Sequence, residues 1–213
     1  MKRCKMNIQL QNIEYKVKGK EIISHFSADF QNGNVYCLFG KNGSGKTTLL
    51  NILALLRKMQ SGNFYFNGDK LDDYRRRKDY KDKISFFSSS QEILFKELTV
   101  KQNIWFYLNI NKICIDKSKI DEIGIFMKRF SIGDLVNIQI KKLSKGQKQK
   151  VALTIILLLD KPIVLLDEPY DGLDITGYSA LNEYINRWKE SKIIVIASPI
   201  QIEENGMILI QVE

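Results

Sequence analysis

The sequence contains little cysteine, and its apolar runs are short. The 3 cysteines, Cys4, Cys37 and Cys114, form neither a close pair nor the spacing of a metal site, which indicates a reducing, cytosolic environment. The segment Met1–Asn7 has no apolar core of signal-peptide length. The longest nearly uninterrupted apolar run, Val151–Leu159, is too short to span a bilayer, so any membrane role is expected to depend on a partner.

Positive charge is in surplus, with 33 Lys+Arg against 24 Asp+Glu and a formal net charge of +9. Such a surplus suits an anionic ligand, the anionic inner face of a membrane or nucleic acid, and charge alone does not choose among them. The most densely charged segment is Leu71–Lys83, with Arg75–Lys78 at its centre. We interpret it as a solvated helix or loop face rather than a nucleic-acid or lipid contact, because no aromatic interleaving accompanies the charges.

The segment Gly40–Thr48 predicts a phosphate-binding loop, because it fits the pattern Gly, four residues, Gly-Lys-Ser/Thr. It lies between Val35–Phe39, an apolar run typical of a buried strand, and Leu49–Leu56, a run of strong helix formers. This context favours a phosphate loop over a glycine-rich turn with a surface lysine, since glycines let successive N–H groups point at one anion and the helix N-terminus adds partial positive charge. Lys46 is expected to reach the β- and γ-phosphates, and the Thr47 hydroxyl to hold Mg²⁺. The residues expected to contact the nucleotide are Gly40, Lys41, Asn42, Gly43, Ser44, Gly45, Lys46, Thr47 and Thr48.

Two adjacent carboxylates, Asp167 and Glu168, end the apolar run Ile163–Leu166. A carboxylate at the C-terminal end of a strand beside a phosphate loop can hold Mg²⁺ through its water shell, which is the role expected of Asp167. Successive residues leave a strand on opposite sides, so Glu168 is expected to polarise a water for attack on the γ-phosphate. The alternative is an Asp-Glu-Pro turn that merely ends the strand.

Strands alternate with helices along the chain, and several strands are uniformly apolar, which predicts an α/β core with a helical stretch, 91–150, inserted as a subdomain. The length of 213 residues suits one large domain or a core with a subdomain rather than two full domains. Besides the strands named above, we predict strands over Met6–Tyr15, Glu21–Phe30, Asn63–Phe66, Ile84–Phe87, Ile193–Ala197 and Met207–Val212. Further helices are predicted over Val100–Asn109, Ile120–Phe130 and Gln147–Leu159.

Two further motifs complete a family pattern: Leu143–Gln147, with the sequence Leu-Ser-Lys-Gly-Gln, and Tyr170–Asp174. With Gly40–Thr48 and Ile163–Glu168, they stand in the order and at the spacing of the nucleotide-binding subunit of ATP-binding cassette (ABC) transporters, which the chain resembles over essentially its whole length. The resemblance implies a single ABC ATPase domain, 1–213, with ATP and Mg²⁺ as cofactors. Its P-loop NTPase (RecA-like) core, with an N-terminal antiparallel β-subdomain, is expected in 1–90 and 151–213, and its helical signature subdomain in 91–150.

The segment Ser144–Gln147 is expected to form an anion site, because a hydroxyl and helix-start N–H groups face outward there. The resemblance implies that Ser144, Lys145, Gly146 and Gln147 cap the γ-phosphate bound by the other subunit of a head-to-tail dimer. The chain is therefore expected to homodimerise or to pair with a related chain. Lys145 replaces the family's first glycine, and its side chain is expected either to point to solvent or to add attraction to phosphate.

Three further positions concern the nucleotide site. Tyr15 matches the aromatic residue that stacks on adenine in similar proteins, and its alternative is a strand tyrosine of the first sheet. Gln91 is the only candidate for the family's nucleotide- and Mg²⁺-contacting glutamine, although the strand's register would place Ser89 or Ser90 there. Pro199 stands where similar proteins have a switch histidine.

The absence of the switch histidine predicts weak hydrolysis in a homodimer, because losing one positioned donor to a developing phosphate charge can cost several kcal/mol of transition-state stabilisation. The retained Glu168 argues against a wholly inactive site. The chain's only histidine, His25, falls in the predicted N-terminal sheet and is interpreted as a structural or surface residue.

The combined hypothesis is the cytoplasmic ATPase subunit of an ABC transporter, peripheral at the inner face of the cell membrane through a separate transmembrane permease. The compact cassette with its Leu-Ser-Lys-Gly-Gln segment is similar to subunits of small export systems, including peptide and antimicrobial exporters. One alternative is a soluble ABC-type ATPase acting on nucleic acid or ribosomes, whose usual coiled coil or tandem cassettes are missing, so no nucleic acid is expected as a partner. The other is an ATP-gated assembly subunit with little hydrolysis.

Overall fold

A computed structural model describes residues 6–90, 92–202 and 206–213. The described residues divide into two compact units. Of the described residues, the sheet unit comprises 6–86, Pro162–Glu168, 187–202 and 206–213. The helical unit comprises 87–90, 92–161 and Pro169–Asn186.

The strands, in chain order, are β1 (Asn7–Val17), β2 (Lys20–Gln31), β3 (Asn34–Phe39), β4 (Ser61–Phe66), β5 (Asp69–Lys70), β6 (Ile84–Ser88), β7 (Ile163–Asp167), β8 (Ile193–Ser198) and β9 (Met207–Gln211). The helices are α1 (Lys46–Leu53), α2 (Tyr74–Lys81), α3 (Val100–Ile110), α4 (Lys117–Arg129), α5 (Lys145–Leu158) and α6 (Ile175–Trp188). Two short 3₁₀ helices, Gly133–Leu135 and Ile140–Lys142, precede α5.

The first sheet is antiparallel and has the strand order β2-β1-β4-β5. The Asn67-Gly68 turn joins β4 to β5, and Asn-Gly is a residue pair typical of tight hairpin turns. The pairing of β1 with β2 shifts register between Leu10 and Ile13 and twice more before Lys16. These register shifts change which face of the sheet the side chains at the end of β1 occupy.

The second sheet has the strand order β6-β7-β8-β3-β9, and its pairs β7-β8, β8-β3 and β3-β9 are parallel. Every residue of β7 and β8 is buried, which explains why these strands are continuous apolar runs instead of alternating ones. In a parallel sheet the carboxyl ends of neighbouring strands meet at one edge, so the end of β3 and the end of β7 deliver the phosphate loop and the two carboxylates to the same edge.

One hydrophobic core joins the two sheets of the sheet unit and α1. Phe30 of β2 meets Tyr36 of β3 edge to face at 4.9 Å between ring centroids. Tyr80 of α2 is fully buried, packs edge to face on two phenylalanines of β4, and donates its hydroxyl to the carbonyl of Leu53 at 2.9 Å. The C-terminal end of α1 is thereby fixed by a hydrogen bond from within the core.

Sequence-encoded caps begin the helices of the helical unit. Thr99 caps α3 and forms a reciprocal capping box with Gln102, and Asp116 caps α4. Phe126 of α4 stacks on Tyr184 of α6 at 4.1 Å between ring centroids, within the unit's apolar interior. Asn103 is fully buried and fastens the segment before α3 through hydrogen bonds with Phe95 and Thr99.

The α/β fold predicted from the sequence is confirmed: an N-terminal antiparallel sheet accompanies a parallel core sheet with helices. Each predicted strand lies within two residues of its predicted ends, and each predicted helix within three, the larger differences being at α1 and at the start of α4. One helix, α6, is not among the predicted helices, and α2 lies in Leu71–Lys83, the segment interpreted from the sequence as a solvated helix or loop face. Of the helices within residues 6–90, 92–202 and 206–213, none combines the length and the hydropathy needed to cross a membrane.

Candidate nucleotide site

The loop after β3 is shaped by glycines at positions that admit no side chain. At Gly40 a Cβ atom would lie 2.3 Å from the carbonyl oxygen of Val212. Gly45, the N-cap of α1, has a φ of 99°, and a Cβ atom there would lie 2.7 Å from the carbonyl oxygen of Ile22. The chain can therefore pass close to its neighbours and turn directly into α1, which leaves the N–H groups of the loop and of the first helical turn pointing into one space.

Lys46 is the first residue of α1 and is buried, although it carries a charge. Its Nζ donates hydrogen bonds to the carbonyl oxygens of Gly40 at 2.7 Å and Lys41 at 2.9 Å. These neutral acceptors hold the ammonium group over the loop and leave its charge uncompensated by a carboxylate. Beside it, the buried Ser44 Oγ has no hydrogen-bond partner in the described part of the chain, so the loop also offers a polar atom to a ligand.

Thr47 and Asp167 meet at the edge of the parallel sheet. The Thr47 hydroxyl donates to Asp167 Oδ1 at 3.0 Å, and Asp167 is 3% exposed. A hydroxyl and a carboxylate oxygen side by side are the ligand types that Mg²⁺ prefers. The pair brings together two residues that are 120 positions apart in the chain.

Glu168 has an unusual backbone conformation. Its φ is 48°, in the left-handed region that residues with side chains rarely adopt, and its N–H donates to the carbonyl of Ala197 at 2.9 Å. The turn directs Glu168 into a cavity of about 380 Å³ beside the phosphate loop. That cavity is lined by Val17, Ile22, Asn42, Gly43, Gly45, Lys46, Thr47, Thr48 and Glu168.

Tyr15 lies in β1 but does not line this cavity. Its hydroxyl accepts a hydrogen bond from Arg57 at 3.1 Å, and the Arg57 guanidinium lies 5.1 Å from the centre of its ring. The apolar surface beside the phosphate loop belongs instead to Val17 and Ile22. A contact of Tyr15 with adenine therefore stays a prediction, and Val17 is the residue that sequence reasoning missed.

The segment Ser144–Gln147 lies in the helical unit, where Ser144 is the N-cap of α5. The Ser144 hydroxyl accepts the N–H of Gln147 at 3.2 Å, and the Gln147 side chain accepts the N–H of Ser144 at 2.9 Å. Both side chains thus stabilise their own helix start. Ser144 and Lys145 are exposed, so this helix N-terminus is open to solvent.

The start of α5 contacts the segment 169–174, and these contacts could not be predicted from the sequence. Lys145 Nζ lies 3.0 Å from Asp171 Oδ2, and a Cβ atom on Gly146 would lie 2.8 Å from the carbonyl oxygen of Gly172. Lys150, which is buried, pairs with Asp174 at 2.7 Å. The hydrogen bond from Lys150 lowers the pKa of Asp174, and a second bond from a backbone N–H adds to the effect.

A family model described as ABC transporter matches residues 23–171, a span that includes the phosphate loop, Leu143–Gln147 and both carboxylates. The chain belongs to the ABC transporter family. Within the family it corresponds to the ATP-binding subunit, as its curated relatives show. It is 32% identical over 198 residues to the ABC transporter ATP-binding protein NatA of Bacillus subtilis, with 90% of this chain and 77% of NatA covered. It is 33% identical over 204 residues to ABC transporter I family member 1 of Arabidopsis thaliana, with 94% of this chain and 85% of that protein covered.

Another relative is the Fe(3+) ions import ATP-binding protein FbpC of Fusobacterium nucleatum, 35% identical over 169 residues. The match covers 79% of this chain but only 44% of that relative's length. Among solved structures, an ABC transporter ATP-binding protein of Pyrococcus furiosus superposes with a TM-score of 0.82 at 22% identity, covering 97% of both chains. A dimeric ATP-binding cassette in a post-hydrolysis state with ADP and Pi gives a TM-score of 0.75 at 26% identity, covering 90% of this chain and 87% of that one.

ABC ATPases hydrolyse ATP, dimerise and pair with transmembrane domains. The remaining predicted site residues are those expected to act in ATP hydrolysis or in its coupling to a transmembrane domain. Gln91 lies outside the described residues. Pro199 follows β8, and the Ser198 hydroxyl before it accepts the N–H of Ile200 at 3.3 Å. His25 is 72% exposed in β2 and pairs with Glu14 at 3.1 Å, which confirms its interpretation as a surface residue.

Proposed function

We propose that this chain is the ATP-hydrolysing subunit that drives a separate transmembrane permease at the inner face of the cell membrane. The observation that carries the proposal is the cavity of about 380 Å³ in which Lys46, Thr47 and Glu168 meet. A buried cation, a hydroxyl and a carboxylate around one space beside a glycine loop match the requirements of phosphoryl transfer.

The phosphate loop fits ATP and Mg²⁺. Lys46 would exchange the carbonyl oxygens of Gly40 and Lys41 for phosphate oxygens, and the unsatisfied Ser44 hydroxyl would gain a partner. Thr47 and Asp167 would hold Mg²⁺, with Gln91 as a further ligand. The metal ion supplies Lewis-acid polarisation of the phosphate oxygens when bound. The apolar wall of Val17 and Ile22 would face the rest of the nucleotide.

Glu168 is the proposed general base, because its left-handed turn directs it into the same cavity as the phosphate loop. Its carboxylate would orient a water and take a proton from it as the water attacks the γ-phosphate. The experiment compares Mg–ATP binding with phosphate release for the wild type and Glu168→Gln. If Glu168→Gln binds Mg–ATP but no longer releases phosphate, the assignment of Glu168 as general base is supported. Equal phosphate release by both proteins would show that Glu168 is not the general base.

A second ABC subunit, either another copy or a related chain, is proposed to complete the site. The exposed start of α5, with Ser144 as its cap and Lys145 beside it, would contact the γ-phosphate bound by that subunit. Gly146 and Gln147 would contribute backbone N–H groups and the side chain that orders the helix start. ATP-dependent dimerisation of Glu168→Gln, measured by analytical ultracentrifugation, tests this step, and a monomer at saturating Mg–ATP would contradict pairing with another copy and leave a related chain as the partner.

An ATP-gated assembly subunit with slow hydrolysis is the second candidate, and Pro199 is the observation that favours it. Proline offers no side-chain donor to a developing phosphate charge, a loss that can amount to several kcal/mol. Pro199→His is expected to raise the turnover of a homodimer. Fast basal turnover of the wild type, abolished by Glu168→Gln, would eliminate the slow-hydrolysis candidate.

A groove of about 350 Å³ in the helical unit is proposed to receive a helical segment of the permease. It combines apolar residues, among them Phe87, Leu94 and Ile140, with the charged rim residues Lys96 and Lys148. Amphipathic helices dock in grooves of this kind. The test is co-purification of membrane proteins with Glu168→Gln in ATP. Adding Leu94→Glu should abolish it while ATP-dependent dimerisation is retained.

The proposed cargo is a small exported peptide, on the basis of the Leu-Ser-Lys-Gly-Gln segment. Cells that lack the chain should then be more sensitive to such a peptide, and restoring the wild type but not Lys46→Ala should return resistance. Unchanged sensitivity in both strains would contradict peptide export and leave the ATPase proposal intact.

A further inference from the structure

A second cavity of the sheet unit lies at the end of α1 away from the phosphate loop. Its volume is about 360 Å³, within the range of small-molecule sites. Its wall carries the cationic side chains Arg57, Lys58, Lys70 and Arg77 and one carboxylate, Asp72. Neither the family motifs nor the proposed hydrolysis uses these residues.

The charges of this cavity are not compensated from within. Among residues 6–90, 92–202 and 206–213, the structure pairs none of its four cations with a carboxylate. Asp72 is already engaged, because its Oδ1 accepts from Arg76 NH1 at 3.2 Å. The cavity therefore presents a concentrated positive potential that attracts an anion.

Two of the cations are held in place by neutral groups. Arg57 donates to the Tyr15 hydroxyl at 3.1 Å and lies over the Tyr15 ring, and Arg77 donates through Nε to the carbonyl of Leu71 at 2.9 Å. These contacts restrict the guanidinium groups without neutralising them and leave further N–H donors on each. A preorganised arginine loses less conformational entropy when it binds an anion, and its fork matches phosphate oxygens.

Apolar side chains form the rest of the wall. Leu55 and Met59 are partly exposed there, above the buried Phe64. A purely inorganic anion would gain nothing from this surface, whereas a ligand with an apolar part next to its anionic group would cover it. The combination of two oriented arginines, two lysines and an apolar wall fits an anion of charge near −2 attached to carbon.

We propose that this cavity binds the phosphate group of an organic phosphomonoester, with Arg57 and Arg77 as the phosphate ligands and Leu55 and Met59 against its carbon chain. The ester is either a lipid headgroup or a soluble metabolite, which share this chemistry. Binding does not require nucleotide in the phosphate loop, so the proposal stands independently of hydrolysis. It revises the interpretation of Leu71–Lys83 as a solvated face at one position, Arg77, which is exposed like Arg75 and Lys78 but lines the cavity.

The experiment compares two double variants that remove the same charge from the same region. Arg57→Gln/Arg77→Gln alters the cavity, and Arg75→Gln/Lys78→Gln alters exposed residues of α2 outside it. Both are made in a Lys46→Ala chain without nucleotide, so that the phosphate loop contributes little. The probes are phosphatidylcholine vesicles containing phosphatidic acid, measured by flotation, and soluble glycerol 3-phosphate, measured by calorimetry.

The cavity variant should bind the productive probe at least about tenfold more weakly, since charge-assisted hydrogen bonds to phosphate are lost, while the control variant should stay within about twofold. Binding to vesicles but not to glycerol 3-phosphate identifies a lipid headgroup, and binding to both identifies the phosphomonoester itself. Equal loss in the two variants would show general electrostatic attraction and overturn the proposal, as would no binding of either probe by the parent chain. Arg57→Lys/Arg77→Lys retains the charge but not the fork, so intermediate affinity from this variant separates ligand loss from misfolding.

Discussion

The ion pair between Lys145 and Asp171 predicts that two charge-removing substitutions act in opposite directions. Lys145 is the first residue of α5, next to Ser144 at the proposed contact with the other subunit's γ-phosphate. In the single chain its ammonium group lies 3.0 Å from Asp171. If Lys145 leaves Asp171 for the phosphate, Asp171→Asn should strengthen the ATP-dependent dimer and Lys145→Met should weaken it.

The exposure of the pair decides the magnitude. The side chains are 74% and 53% exposed, so the pair is worth about 0.2–1 kcal/mol after solvent screening. A charge-assisted contact with phosphate is worth about 1.5–3 kcal/mol. The net gain from exchanging partners is then about 1–2 kcal/mol per site, roughly tenfold in the dissociation constant. In a dimer with two such sites, Lys145→Met should weaken the dimer by about a hundredfold, and Asp171→Asn should tighten it by about two- to thirtyfold.

The assay is sedimentation equilibrium of Glu168→Gln proteins in Mg–ATP at low and high salt. Lys142→Met, which removes the same charge from an exposed position two residues before Ser144, is the matched control and should leave the dimer unchanged. Weakening by both Lys145→Met and Asp171→Asn would show that the ion pair only stabilises the subunit, and the exchange of partners would be refuted. High salt should reduce the difference between the variants, because exposed charges are screened.

Three other substitutions test the geometry of the fold and the site. Gly45→Ala should abolish nucleotide binding with the fold retained, since a Cβ atom would lie 2.7 Å from a backbone oxygen at a φ of 99°. Circular dichroism checks that the fold is retained, and nucleotide titration checks that binding is lost. Asn103→Ala should lower the free energy of unfolding by about 2–4 kcal/mol in urea denaturation, because the three hydrogen bonds of a fully buried side chain are lost. Asn111→Ala removes one side-chain hydrogen bond and should cost under about 1 kcal/mol. Burial raises the pKa of Tyr80 far above the ordinary tyrosine value of about 10, so the folded chain should keep this phenol protonated in alkaline solution. Because the unfolded phenol ionises near pH 10, the free energy of unfolding should fall above about pH 10 in urea denaturation, and Tyr80→Phe should remove this pH dependence.

The phosphate loop was predictable because its conformation is encoded locally. Gly40 and Gly45 lie at positions where no residue with a side chain fits. The apolar run before them forms β3, and uninterrupted apolar runs are typical of strands that are buried on both faces of a sheet. The two carboxylates were predictable for the same reason, as the end of an apolar strand. The sequence also implied that Glu168 lies beside the phosphate loop, although nothing in the sequence specifies the left-handed φ by which it does so.

The end of β1 was not predictable in the same way. The assignment of Tyr15 rests on its match to an aromatic position of the family, and such a match does not show where the register shifts in the pairing with β2 place the side chain. As a result Val17 lines the cavity beside the phosphate loop, and Tyr15 contacts Arg57. Bulges arise from the pairing of two strands, so one strand's pattern does not reveal them.

The missed helix α6 did leave a signal. Its buried residues Ala180, Leu181, Tyr184 and Ile185 recur at helical spacing. The first turn obscured it, because Ile175 and Gly177 are poor helix formers and the preceding Asp174 belongs to a functional motif. The Asp174 side chain accepts the N–H of Gly177 at 2.8 Å, as a helix cap does. One residue therefore supports both the motif and the helix start.

The hydrogen-bond and ion-pair partners of a cationic side chain show whether its charge is compensated within the protein or available to a ligand. The sequence alone does not show these partners. Lys150 is buried against Asp174, so its charge is compensated and its role is to hold α5 to the next segment. Lys46 is also buried, yet backbone carbonyls hold it, and its charge stays available to phosphate. Arg57 and Arg77 are held by a phenol and a carbonyl, the same arrangement on a more exposed surface. Because a neutral partner orients a cation without cancelling its field, the physical reason for assigning Lys46 to a phosphate applies equally to the second cavity.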